Sequence, residues 1–152
     1  MTEIAALVAL VGNGLTFGVM LATAMGIVPF TLVLPYRQYV QTIQFLWPRY
    51  DPFMPIAHTV TVLAGGWAAV VAGGALPRAL FGTAAVVLVL VMVISVVKNV
   101  PINRYVMSLD PGAAPADWSR ADPRARWRAW NLLRTSLAGL ALVLNAAAAA
   151  SL

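Results

Sequence analysis

Among 152 residues there is one histidine, His58, and it is the one side chain here whose ordinary titration falls near neutral pH. It lies within a long apolar stretch. There a histidine is either a hydrogen-bond donor between helices or a general base that takes a proton from a substrate. A second group is polar where polarity is costly. Trp127, Trp130, Asn131 and Arg134 stand at i, i+3, i+4 and i+7, one face of a helix. Ser95, Asn99 and Asn103 recur at every fourth residue, with Pro101 breaking their run. A proline frees a carbonyl that an Asn side chain can satisfy, and two Asn residues around such a break also make a polar wall for a ligand. On the plainer reading Trp127 belongs to an aromatic belt and Arg134 reaches for headgroups. Asn13, Thr16, Met20 and Thr23 share one further face, and the neighbouring Gly12, Gly14 and Gly18 suit close helix packing.

The elements that carry these residues follow from composition. Apolar residues make up 61% and charged residues 10%, whereas water-soluble domains need roughly a quarter of their residues charged. Lipid must therefore be part of the solvent. There is no cysteine, which removes disulfides, iron–sulfur clusters, thiolate metal sites and cysteine nucleophiles. With a single histidine, one chain cannot build a haem, copper or zinc site of several histidines. A copper or iron ion shared between the His58 side chains of several subunits stays open, and no other cofactor is expected.

The expected fold is all-α, an integral membrane four-helix bundle forming a single domain over residues 1–152. Spans are read at about 4–28, 53–75, 78–99 and 130–151, each near the ~20 apolar residues that cross a bilayer. Glu3, with no Lys or Arg before the first apolar run, favours a retained helix over a cleaved signal peptide. Pro29 is expected to end the first span and Pro101 the third. Residues 29–52, rich in aromatics with Arg37 and Arg49, are read as an interfacial, partly helical segment. Residues 100–129 are read as a polar loop.

The first and third connections with their helix ends carry Arg37, Arg49, Lys98, Arg104, Arg120, Arg124, Arg126, Arg128 and Arg134, leaving only Arg78 on the other side. This bias puts the basic loops in the cytoplasm and both termini outside it. His58, Asn99, Asn103, Asn131 and Arg134 then lie at one level, near the cytoplasmic ends of three helices. The reading is a polar-tipped, aromatic-lined pocket inside an apolar bundle, suited to a flat, hydrophobic, oxygen-bearing ligand.

The segment Asn99-Val100-Pro101-Ile102-Asn103, followed by Trp127-Arg128-Ala129-Trp130-Asn131-Leu132-Leu133-Arg134, resembles the anthrone oxygenase family of small four-helix membrane proteins. Pro29 and the stretch Asp51-Pro52-Phe53-Met54-Pro55 fit its layout as well. The resemblance implies an oxygenase, or a related redox tailoring enzyme, acting with molecular oxygen on a hydrophobic anthrone-like or phenolic substrate. An anthrone has an acidic methylene opposite a ketone, and its enolate can pass an electron directly to oxygen. What the resemblance implies for the residues is a base, His58; oxyanion donors, Arg134 with Asn131 or Asn99; a polar contact, Asn103; and stacking on Trp127 and Trp130. The rival is a non-enzymatic membrane module that binds a lipid or quinone or supports a partner complex. A homo-oligomer is expected from the small-residue helix faces, and a nucleic-acid partner is not.

Overall fold

The computed structural model describes residues 1–152 and contains helices, turns and bends only. Eight α-helices follow one another: α1 Thr2–Ala22, α2 Val28–Val33, α3 Tyr36–Tyr50, α4 Phe53–Val71, α5 Ala75–Ile94, α6 Val100–Met107, α7 Trp118–Ala121 and α8 Arg124–Ala150. They assemble into four stretches long and apolar enough to cross a membrane, Thr2–Val33, Tyr36–Val71, Ala75–Met107 and Trp118–Ala150, the mark of an integral membrane protein. The first has 32 residues, about 48 Å at ~1.5 Å per residue, against a hydrocarbon core of ~30 Å.

Two of the expected helix ends are not ends. Pro29 and Pro101 lie inside continuous helices, each just after a five-residue π-helical segment, Thr23–Ile27 and Ser95–Asn99. The same device operates at both. Thr23 Oγ1 donates to the Val19 carbonyl at 2.8 Å, and Ser95 Oγ to the Val91 carbonyl at 2.7 Å. The N–H of Val28 then bonds back five residues to Thr23 O, and that of Val100 to Ser95 O. The wider π turn makes room for a proline ring, and each hydroxyl adds a second hydrogen bond to the carbonyl that already accepts its own residue's N–H, Val19 O for Thr23 and Val91 O for Ser95. Residues 29–52, expected to be partly helical, are helical over most of their length: α2 runs on to Val33 and α3 covers Tyr36–Tyr50. α8 begins at Arg124, six residues before the span read from the sequence.

The four long helices pack in a ring, α1 on α4, α4 on α5, α5 on α8 and α8 back on α1. Their contact faces are small: Ala5, Ala6, Ala68 and Ala148 surround Phe81, while Ala84 and Ala141 surround Leu88. The large apolar side chains point the other way, with Leu63 at 67% and Val86 at 69% exposure. In lipid such outward leucines and valines cost nothing, so close backbone approach has to supply the helix association. Gly12 shows how close. A Cβ there would stand 2.3 Å from Thr61 Oγ1. Gly12→Ala is expected to destabilise the bundle by about 1–3 kcal/mol through overpacking. Adding Thr61→Ala should recover most of the loss, as read by thermal unfolding in detergent.

Arg124 fixes the end of the first span to the start of the last. Its Nη1 donates to the carbonyls of Thr31 at 3.0 Å and Leu34 at 2.8 Å, where α2 ends. Its Nε and Nη2 bind the Asp122 carboxylate, and the guanidinium lies 5.1 Å from the Tyr39 ring centroid. A cation on the last carbonyls of a helix also meets the negative end of the dipole. Arg124→Ala is expected to cost about 2 kcal/mol, in the range for hydrogen bonds to a charged group. The first sign should be faster amide exchange at residues 31–40.

Candidate active site

The two π segments do more than accommodate prolines. Thr23 and Ile27 from one, and Ser95, Val96 and Asn99 from the other, line a cavity of about 200 Å³ at the basic end of the bundle. α4 contributes Met54, Pro55 and His58, and α8 contributes Trp127 and Arg134. α3 lies over the opening with Ile43, Leu46, Trp47 and Tyr50, residues at i, i+3, i+4 and i+7 and therefore one helical face. The opposite side of α3 is tied down. Tyr39 and Val40 pack on Val106 of α6, Gln44 Nε2 donates to Leu109 O at 2.9 Å, and the Tyr36 hydroxyl donates to Asp110 O at 2.8 Å. Asp51, Pro55 and Val96 are exposed members of the lining, so the cavity reaches the bundle surface.

His58 is buried, with 5% exposure, and its position on α4 fixes its tautomer. Nδ1 lies 3.0 Å from the Met54 carbonyl one turn earlier. A carbonyl can only accept, so Nδ1 carries the hydrogen and Nε2 holds the lone pair. Nε2 is buried and has no partner within the protein. A histidine held in this way offers its basic nitrogen to whatever occupies the cavity.

Arg134 is the complementary group. Asn131 Oδ1 accepts from its Nε at 3.2 Å and its Nη2 at 2.9 Å, and Ser95 Oγ accepts from Nη1 at 3.0 Å. Of the five N–H groups of a guanidinium, two are left over. No carboxylate balances the charge; the one ion pair in the chain joins Arg124 to Asp122. A cation fixed by neutral acceptors in an apolar bundle is a binding site for an anion or a developing oxyanion. Trp127 lies beneath it, with the guanidinium carbon 5.9 Å from the ring centroid.

Five of the seven residues expected from the sequence line this cavity: His58, Asn99, Asn103, Trp127 and Arg134. Asn131 does not line it; it is buried behind Arg134 and orients the guanidinium. Trp130 is not in the lining either. Three residues on from Trp127, it turns off the cavity face, and its ring lies 5.0 Å from Lys98 Nζ. Asn99 donates weakly to Trp127 O at 3.4 Å, and its Oδ1 has no partner. Trp127 Nε1 is likewise buried and unpartnered. The free polar atoms thus include acceptors, His58 Nε2 and Asn99 Oδ1, and donors, Trp127 Nε1 and the spare Arg134 N–H groups. No three His, Cys, Asp or Glu side chains come together as a metal-ligand cluster.

Sequence reasoning missed the roof and the mouth. Ile43, Leu46, Trp47 and Tyr50 carry a signal in their helical spacing, but the mixed composition of 29–52 hides it. Asp51 gives none beyond its place in Asp51-Pro52. Ser95 is visible as the start of the every-fourth-residue run, but its bond to Arg134 depends on the α5–α8 contact.

The family model described as anthrone oxygenase matches residues 45–144, a stretch that includes His58, Asn99, Trp127 and Arg134. No curated protein matches the chain, and no solved structure does.

Proposed function

The chain belongs to the anthrone oxygenase family, and from that premise we propose that it is a membrane-embedded monooxygenase of hydrophobic aromatic compounds bearing a ketone or phenol. The observation that carries the reading is the meeting of two groups in one cavity. A buried histidine nitrogen with a free lone pair and a guanidinium with no carboxylate partner face the same apolar space. His58 Nε2 takes a proton from the activated methylene, and the spare N–H groups of Arg134, with the Asn99 Nδ2 hydrogen not given to Trp127 O, stabilise the enolate oxygen. The enolate gives its electrons to molecular oxygen. Over the whole reaction the methylene becomes a carbonyl, with one oxygen atom retained and the other leaving as water. Asn131 and Ser95 keep the guanidinium in place, Trp127 stacks on the rings, and α3 excludes bulk water.

His58 is buried in its own bundle, which argues against several subunits sharing one metal ion through it. The basic end, with nine of the ten Lys and Arg residues, faces the cytoplasm in this proposal, and both termini lie opposite. The substrate is then drawn from the cytoplasmic leaflet, and the small-residue helix faces favour a homo-oligomer.

The test uses purified protein in lipid nanodiscs with anthrone under ¹⁸O₂. Quinone formation faster than in empty nanodiscs, with label in the new carbonyl, is the expected result. Binding of anthrone with no acceleration would sink the enzymatic reading and leave a binding module.

A further inference from the structure

Beyond the cavity, toward the middle of the bundle, the buried helix faces stay polar. On α1, Met20 lines the cavity, and Thr16 and Asn13 continue the same face away from it. On α4, Thr61 follows His58 by one turn, and on α8, Asn145 follows Arg134 by three turns. These residues are closed off from the surroundings: Asn13 and Thr16 are 0% exposed, and Thr61 and Asn145 are 1% exposed. Both hydroxyls spend their hydrogens locally, Thr16 on Asn13 O at 3.1 Å and Thr61 on Ala57 O at 2.7 Å, so each presents only lone pairs. Nδ2 and Oδ1 of Asn13, and Nδ2 and Oδ1 of Asn145, have no hydrogen-bond partner in the protein.

The helix register puts the two buried carboxamides at nearly one level of the bundle. Gly14 packs against Leu142, and Phe17 against Gly139, so α1 and α8 run antiparallel with Asn13 opposite Val143. Asn145 lies two residues further along, about 3 Å. Thr61 reaches the same level, because its Oγ1 occupies the space beside Gly12. Two amides at nearly one height on adjacent helices could bond to each other, yet neither does. Each unmade bond costs about 1–3 kcal/mol, and lipid offers no relief. A water molecule typically makes about three hydrogen bonds and can both donate and accept, which matches two amides and two hydroxyl acceptors.

We propose that Asn13 and Asn145, with the Thr16 and Thr61 hydroxyls, form a buried water-binding site at the centre of the bundle, one turn beyond His58. The site is separate from the Arg134 cavity and does not depend on the reaction proposed above.

The experiment is water-edited solid-state NMR on the full chain in lipid bilayers. The side-chain NH₂ signals of Asn13 and Asn145 are expected to receive water magnetisation, while the backbone amides of Ala84 and Ala141 stay dark. In Asn13→Leu, Asn145 should lose its water transfer, since the two share the bound water. Asn145→Leu should have the reciprocal effect on Asn13. Wild-type amides as dry as Ala141 would overturn the proposal, whatever the variants do. Unchanged water transfer to Asn145 in Asn13→Leu would overturn it too.

Discussion

His58→Ala is expected to lower kcat by about 10²–10⁴, the usual contribution of a positioned general base, while the protein still inserts and folds. The folding expectation rests on what His58 does for the bundle. Its one hydrogen bond is to the Met54 carbonyl on its own helix, and no other helix depends on it. Removing the ring enlarges a space that is already a cavity, rather than opening a void in packed core. Affinity for the aromatic substrate should change much less than kcat, because apolar and aromatic lining from α1, α3, α5 and α8 remains. Imidazole added to His58→Ala should restore part of the rate, since the vacated site borders the cavity and receives a base of the same chemistry. Anthrone turnover and binding, measured side by side in nanodiscs, separate the two effects. Turnover in His58→Ala close to wild type would remove the histidine from the mechanism.

The sequence made the bundle legible because membrane helices report themselves by composition. Long apolar runs with charge only at their ends leave few other folds possible. The shared level of His58, Asn99 and Arg134 was also legible, since topology alone sets which helix ends meet. What resisted was anything that depends on local backbone register. Pro29 and Pro101 read as helix stops, because a proline removes a donor. The π turns that carry the helices through are announced only by a hydroxyl six residues before each proline. Thr23…Val28-Pro29 and Ser95…Val100-Pro101 are two copies of that pattern. Read as a pair, they mark both walls of the cavity.

Trp127 and Trp130 illustrate a second limit. Both belong to the same broad face of α8, but only Trp127 looks into the cavity. A stripe defined by i, i+3, i+4 and i+7 is wide, and its edges face different neighbours. Asn131 shows the converse. Its type and spacing placed it beside Arg134, and in the structure it supports that side chain, since both N–H groups on one edge of the guanidinium end on its Oδ1. The roof escaped notice because the side chains of α3 alternate between aromatic, apolar and charged types, and the interfacial reading absorbs that mixture without asking which face looks inward.

Arg134→Ala is expected to cost about 10²–10³ in kcat, the effect of losing a preorganised donor to a developing oxyanion. The argument turns on what stays behind. Asn131 and Ser95 would lose the donor that both of them accept from, so some loss of stability accompanies the loss of rate. Arg134→Lys separates the two contributions. A lysine keeps the charge but cannot reach Asn131 and Ser95 with a fixed fork while also presenting spare N–H groups. Its rate should fall between Arg134 and Arg134→Ala, with substrate affinity nearer to wild type. Asn131→Ala should act through the same guanidinium. It leaves the charge in place and removes its orientation, so kcat falls less than in Arg134→Ala and KM changes little. In an Arg134→Ala background the further change Asn131→Ala should then have almost no effect on rate, because the group it positions is gone. Additive losses in that double variant would show Asn131 acting independently. Wild-type turnover per folded molecule in Arg134→Ala would show that no oxyanion forms at this end of the cavity.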